Sequence, residues 1–157
     1  MFRRLSDYFE SKLLAAAGTH TGAAAAHALQ LATATLLVEM TRADFAVQAI
    51  ERESVLTALQ RAFGLSGTEL QELAQLAEQS ADQATSLHQF TDLMNRQYSP
   101  EQKVEVVALL WRVAVADGHI DKYEDYLVRK LADLLYVSHR DFIRSKHKVL
   151  AETPGTR

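Results

Sequence analysis

Two stretches of this chain carry almost no charge on any side. Residues 28–40 hold Glu39 as their sole charged residue, and residues 104–116 hold only Glu105 and Arg112. A helix without a polar face has to be covered all round, so each belongs at the centre of a bundle. A chain with two such helices must also supply amphipathic helices to wrap them. The remaining sequence is suited to that task. Six Gly and two Pro punctuate 157 residues, and Ala, Leu, Glu, Gln and Arg, all strong helix formers, dominate. No run shows the period-two alternation of a half-buried strand. The expected fold class is all-α.

The pattern predicts helices near 3–17, 23–43, 48–63, 67–80, 84–96, 100–116, 122–136 and 139–150. Several starts have a mechanism. Ser66-Gly67-Thr68-Glu69 reads as a capping box, in which the Ser side chain accepts from an orphan amide and the Glu bonds back. Ser99-Pro100-Glu101-Gln102 adds Pro at the first helical position, where a missing N–H costs nothing. Gly64 follows Phe63 where a helix end requires a left-handed residue. Residues 18–22 read as a linker and 151–157 as a frayed tail, leaving one helical domain over 23–150 behind an N-terminal helix and linker at 1–22.

Each apolar helix is followed by an acidic turn and an amphipathic helix. Leu36-Leu37 through Ala43-Asp44 matches Leu109-Leu110 through Ala116-Asp117, and seven residues after each Asp stands a Glu, Glu51 or Glu124. Val55, Leu56, Leu59 and Phe63 match Leu127, Val128, Leu131 and Leu135 after a one-residue slip, and Leu65-Ser66 matches Val137-Ser138. This predicts two repeat units, about 27–80 and 100–148, each covering the other's apolar face.

Charge and composition remove several functions. Seventeen basic against twenty acidic residues leave a formal charge of −3, without the basic excess of a general nucleic-acid binder. There is no cysteine, which excludes disulfides, thiolate metal sites and cysteine catalysis. The apolar run at 13–17 is too short and too acidic in its approach for a secretion signal. Residues 23–40 carry His27, Gln30, Thr33, Thr35, Glu39 and many alanines, too inconsistent an apolar stretch for a membrane span. A cytoplasmic protein is expected. Phe2, Leu5, Phe9 and Leu13 recur at helical spacing beside Arg3, Arg4 and Lys12. That stripe over residues 1–17 suits packing on the domain or, alternatively, a membrane surface or a protein partner.

The sharpest local motif is Asp117-Gly118-His119-Ile120-Asp121-Lys122-Tyr123-Glu124. Asp117, Asp121 and Glu124 bring hard oxygen donors to one turn, which suits Ca²⁺, Mg²⁺ or Mn²⁺. With Gly118 at position 6 of an EF-hand loop, Asp117, Asp121 and Glu124 fall at positions 5, 9 and 12. Positions 1 and 3 would be Val113 and Val115, which cannot ligate, so this is not an EF-hand. Capping competes with metal binding as the reason for the motif. Asp121 suits an N-cap with Glu124 at N3, and Gly118 suits a helix terminator, but neither accounts for Asp117. His119 is a weaker fourth ligand; His20, His27, His88, His139 and His147 show no ligand spacing and are assigned no role. The first turn, Asp44 to Glu51, has Phe45 and Gln48 where the second has Gly and Asp, so Asp44 and Glu51 are weaker candidates. There is no phosphate loop, nucleophile elbow or zinc-protease motif, and Tyr98, Tyr123, Tyr126 and Tyr136 are read as core-edge aromatics. No enzyme is expected.

Charge is also placed unevenly. Residues 67–95 contain five acids and no Lys or Arg, whereas residues 129–148 contain six Lys or Arg against Asp133 and Asp141. Such a two-faced surface can steer a charged partner.

The run Leu109-Leu110-Trp111-Arg112-Val113-Ala114-Val115-Ala116 followed by Asp117 to Glu124 resembles the signature of the TerB-like proteins, a family named for bacterial tellurite resistance. His27 to Ala32, Arg61 to Ser66 and Phe90 to Asn95 extend the resemblance over about 27–148, closest to small stand-alone bacterial members. The resemblance implies a duplicated fold of seven or eight helices and a stress-associated role. It also implies metal binding by acids in the turns and work in membrane-associated complexes. Carried over residue by residue, it marks Asp117, Asp121 and Glu124, and in part Asp44 and Glu51. Phe45 and Gln48 depart from it, against two equal metal sites.

Overall fold

The computed structural model describes residues 8, 10–12, 14, 22–43, 51–79, 87–116 and 122–152. Seven helices follow one another: α1 (Gly22–Ala43), α2 (Glu51–Phe63), α3 (Gly67–Gln79), α4 (Leu87–Gln97), α5 (Pro100–Ala114), α6 (Lys122–Leu134) and α7 (His139–Glu152). Tyr8, residues 10–12 and Leu14 are helical as well, and no strand occurs among the described residues. The all-α expectation holds.

The two charge-poor stretches are the two centres. In α1 every residue from Leu31 to Glu39 is buried. Thr33 and Thr35 satisfy their hydroxyls on the Leu29 and Leu31 carbonyls one turn back, so they cost little in an apolar setting. Glu39 is fully buried and does not lack a partner. In α5, Val106 to Trp111 and Val113 to Val115 are buried. The two helices pack on each other. Around them α2, α3 and α4 lie against α1, while α2, α6 and α7 lie against α5; the α5–α7 contact is the most extensive. Tyr8 is buried in the same core, so the N-terminal helical residues also pack on the domain. Phe2, Leu5, Phe9 and Leu13 lie outside the described residues.

Caps form where short-range chemistry demanded them. Ser66 Oγ accepts from the Glu69 amide at 3.1 Å, and Glu69 Oε1 accepts from the Ser66 amide at 3.0 Å. Ser99 and Gln102 make the same reciprocal pair, with Pro100 opening α5. Ser138 caps α7 by accepting from the Asp141 amide at 3.1 Å. Gly64 terminates α2 at φ 62°, a conformation glycine adopts without a Cβ clash.

The helices expected to end at 96 and 150 run on to Gln97 and Glu152, so Ala151 and Glu152 are not part of a frayed tail, and two other helices stop short. The helix expected over 100–116 stops at Ala114, because the Val115 and Ala116 amides turn back to Trp111 and Val113 in a tightened last turn. The helix expected over 122–136 stops at Leu134. There the Val137 amide reaches the Ala132 carbonyl and the Tyr136 amide reaches the Asp133 carbonyl. These are the two bonds of a Schellman cap, which places Tyr136 at a left-handed φ of 58°. Tyr136 is therefore not a core-edge residue: it is 79% exposed, and Tyr126 is 45% exposed. Tyr98 is buried. Its hydroxyl has no hydrogen-bond partner among the described residues, and burial pushes its pKa up.

Side-chain ties join elements far apart in the chain. Asn95 on α4 donates to the Leu134 carbonyl at 3.0 Å, satisfying an orphan acceptor at the end of α6. Arg112 on α5 bridges Glu105 on its own helix and Glu152 at the end of α7, at 3.4 and 3.3 Å.

Candidate metal centre

The second acidic turn joins the buried end of α5 to α6. On its entry side Val113, Ala114 and Val115 are in the core; on its exit side Leu127, Val128 and Leu131 are. Burial of both flanks fixes where the turn begins and ends. Asp117, Gly118, His119, Ile120 and Asp121 lie outside the described residues, as does the side chain of Glu124, whose backbone is in the first turn of α6. Asp44 lies outside them too, and Glu51 contributes only backbone, at the start of α2.

One residue of this corner was not singled out by the sequence. Asp125 follows Glu124 in the first turn of α6, and its Oδ1 is buried without a hydrogen-bond partner among the described residues. Arg129 Nη2 is 3.8 Å from it, too far for a hydrogen bond. A buried carboxylate oxygen normally finds a donor or a metal. Asp125 stands one residue after Glu124 and four after Asp121 in the sequence. Position 12 of an EF-hand loop falls at Glu124, which leaves Asp125 outside that pattern. Among the described residues no three His, Asp or Glu side chains form a metal-sized group.

With Asp125 beside them, the candidate carboxylates Asp117, Asp121 and Glu124 would make a donor set of the kind a hard divalent cation takes. Three of them leave Ca²⁺ short of its six to eight oxygens, and a fourth brings the set nearer. The acids at a helix start also favour the positive end of the α6 dipole, with or without metal.

A second ionisable pair lies elsewhere. His27 on α1 is assigned no role by its sequence spacing, yet its Nε2 is 2.7 Å from Glu69 Oε2 at the start of α3. Its Nδ1 is 3.1 Å from Gln30 Oε1. Glu69 thus closes its own capping box with one oxygen and holds α1 with the other. The Glu69 hydrogen bond, opposed by burial, raises the His27 pKa above 6.5. Burial pushes the Glu69 carboxyl up, but the Ser66 amide and the His27 ring outweigh it and bring the pKa below 4.5. The stabilisation from Glu69 is present above 4.5 and is lost as pH falls through its lowered value. The stabilisation from His27 is complete below 6.5 and is lost as pH rises through its raised value. Glu69→Gln keeps a side chain able to close the capping box but removes the charge. We expect it to lower stability by about 0.5 kcal/mol near pH 5.5, because both partners are partly solvated. The loss shrinks above pH 8; melting curves at the two pH values check it, and an equal loss at both would contradict the assignment.

The architecture defines a class: an all-helical protein with two central apolar helices, each followed by an amphipathic helix and a serine-capped one. A family model described as "Tellurite resistance protein TerB" matches residues 30–147. The chain belongs to the TerB family. The matched span contains both acidic turns. No curated protein and no solved structure matches the chain. No helix among the described residues is long and apolar enough to cross a membrane.

Proposed function

We propose that this TerB-family chain is a non-enzymatic, stress-associated protein that binds a divalent cation through its second acidic turn. Asp117, Asp121 and Glu124 supply the donors, and Asp125 adds a fourth oxygen. The observation that supports this reading is the Oδ1 of Asp125 in the first turn of α6, which is buried and accepts no hydrogen bond among the described residues. The cation would neutralise a concentration of negative charge between two core helices and tie the end of α5 to the start of α6. The rest of its coordination comes from water or backbone carbonyls, as is usual for Ca²⁺ and Mg²⁺. Asp44 and Glu51 form the weaker counterpart, because Phe45 and Gln48 replace the central donor positions there. His119 would join only if the ion were Mn²⁺ or another metal that accepts imidazole.

Calorimetric titration with Ca²⁺, Mg²⁺ and Mn²⁺ tests the proposal. We expect saturable binding of one ion with a Kd on the order of 10⁻⁴–10⁻³ M, the range of a water-completed carboxylate site. Asp121→Asn weakens it about tenfold or more, whereas Asp44→Asn leaves it nearly unchanged. Absence of saturable binding up to about 10 mM of each ion would remove the metal from the proposal.

A further inference from the structure

Asp125 and Arg129 stand four residues apart on α6, the spacing that lays two side chains along one face, with the acid in the first turn where the helix dipole favours it. A pair so placed can close to a charged hydrogen bond of about 2.7–2.9 Å. This pair stays open. Arg129 Nη2 stops 3.8 Å from Asp125 Oδ1, and that oxygen is buried and accepts no hydrogen bond among the described residues. The guanidinium thus offsets the charge of the carboxylate while leaving the lone pairs of Oδ1 accessible to another partner.

The guanidinium has a second seat. Its central carbon lies 5.1 Å from the centre of the Phe142 ring on α7, within the range at which a cation is held by an aromatic face. Phe142 is buried and packs against two other rings, Trp111 of α5 at 5.2 Å and His139 at 6.0 Å between centroids. The core therefore fixes this platform in place. Arg129 is exposed, so its side chain has room to move away from Asp125 while keeping the ring as a partner. One cation on α6 is shared between a carboxylate of its own helix and an aromatic ring of α7.

We propose that Arg129 sets the affinity of the cation site: it is a built-in competitor that offsets Asp125 until a divalent ion binds and then retreats onto Phe142. The inference rests on the reading of Asp125 as a cation donor. An ion bound by Oδ1 sits 2.0–2.6 Å from that oxygen, which places it at most about 6 Å from the guanidinium if Arg129 does not move. At that separation, even in a water-like dielectric, a unit charge weakens binding of a divalent ion about tenfold. A monovalent ion brings no more charge than Arg129 already supplies and gains nothing by displacing it; a divalent ion does. Arg129 is a positioning residue in this account and does not itself touch the ion.

The test measures Mn²⁺ binding to the full chain, from loss of the paramagnetic resonance signal of the free ion, for wild type, Arg129→Gln and Arg129→Lys at low and high ionic strength. Arg129→Gln should bind about tenfold more tightly than wild type at low ionic strength, with the gain shrinking as salt screens the repulsion. Arg129→Lys keeps the charge and should stay within about threefold of wild type. In the unaltered chain, the Arg129 Nε–Hε resonance should shift in step with Ca²⁺ saturation, a readout that needs no variant. Equal or weaker binding by Arg129→Gln, or an equal gain in Arg129→Lys, would overturn the role of Arg129 and leave the cation site standing, as would an unmoved Nε–Hε resonance at saturation. Absence of saturable binding in all three chains would remove the cation site and this inference together.

Discussion

Replacing Trp111 with alanine should lower the unfolding free energy by about 3–5 kcal/mol. Trp111 is fully buried in α5. Its ring packs on Phe142 of α7 at 5.2 Å between centroids, and Lys146 Nζ lies 5.2 Å over it. The loss combines transfer of the indole to water with a cavity that two rigid helices cannot close. No hydrogen bond is sacrificed, because Nε1 has no partner among the described residues. The damage is therefore a packing effect and should fall first on α7, whose most extensive contact is with α5. Amides of α7 are expected to exchange faster than those of α1 in the variant. Urea denaturation measures the total, and Trp111→Phe should recover much of it. A shift below about 1 kcal/mol would contradict the central placement of α5.

Leu36→Ala should cost about 2–5 kcal/mol, the second large effect. Leu36 is completely buried in α1, beside Thr35 and Leu37, which are buried too. This variant probes the other centre. Leu36 and Trp111 lie on helices packed against each other, so the two losses need not add: a shared cavity or a joint relaxation gives a coupling energy in the double variant. Unfolding of the single variants by urea at constant m gives the comparison. If Leu36→Ala were nearly neutral, α1 would be a covering helix and the fold would have one centre.

The parts of this fold legible in the sequence depend on short-range rules. Residues 31–39, 106–111 and 113–115 are buried because no arrangement of a charge-poor helix leaves them a polar face to expose. Ser66 with Glu69 and Ser99 with Gln102 formed caps because both partners lie within one turn. Long-range ties left no such trace. His27 meets Glu69 across 42 residues, Asn95 meets the Leu134 carbonyl across 39, and Arg112 meets Glu152 across 40. Periodicity gives no means of pairing side chains at those separations. Tyr136 was misplaced for a different reason. Its aromatic character argued for the core edge, but the Schellman bonds that end α6 set it at a left-handed φ and turn it outward. In the acidic turn, spacing offered Asp117, Asp121 and Glu124 as candidates. Asp125 emerged only from the burial of its Oδ1.

The Glu69–His27 pair and the Tyr136 cap also show why the two halves of the chain need separate tests. The first half ties α1 to the start of α3 through an ion pair. The second ends α6 with an exposed aromatic and carries Asp125 in the first turn of that helix. A metal in this protein should therefore distinguish the halves.

Adding Mn²⁺ to the ¹⁵N-labelled chain and recording amide line widths tests this most directly. Unpaired electrons broaden nearby resonances, so a site at the second turn erases the amides of Val115, Ala116 and residues 121–126 first and spares Ala43 and residues 51–54. Asp121→Asn should abolish the effect. Broadening centred on the first turn, or spread uniformly over acidic surfaces, would contradict the account.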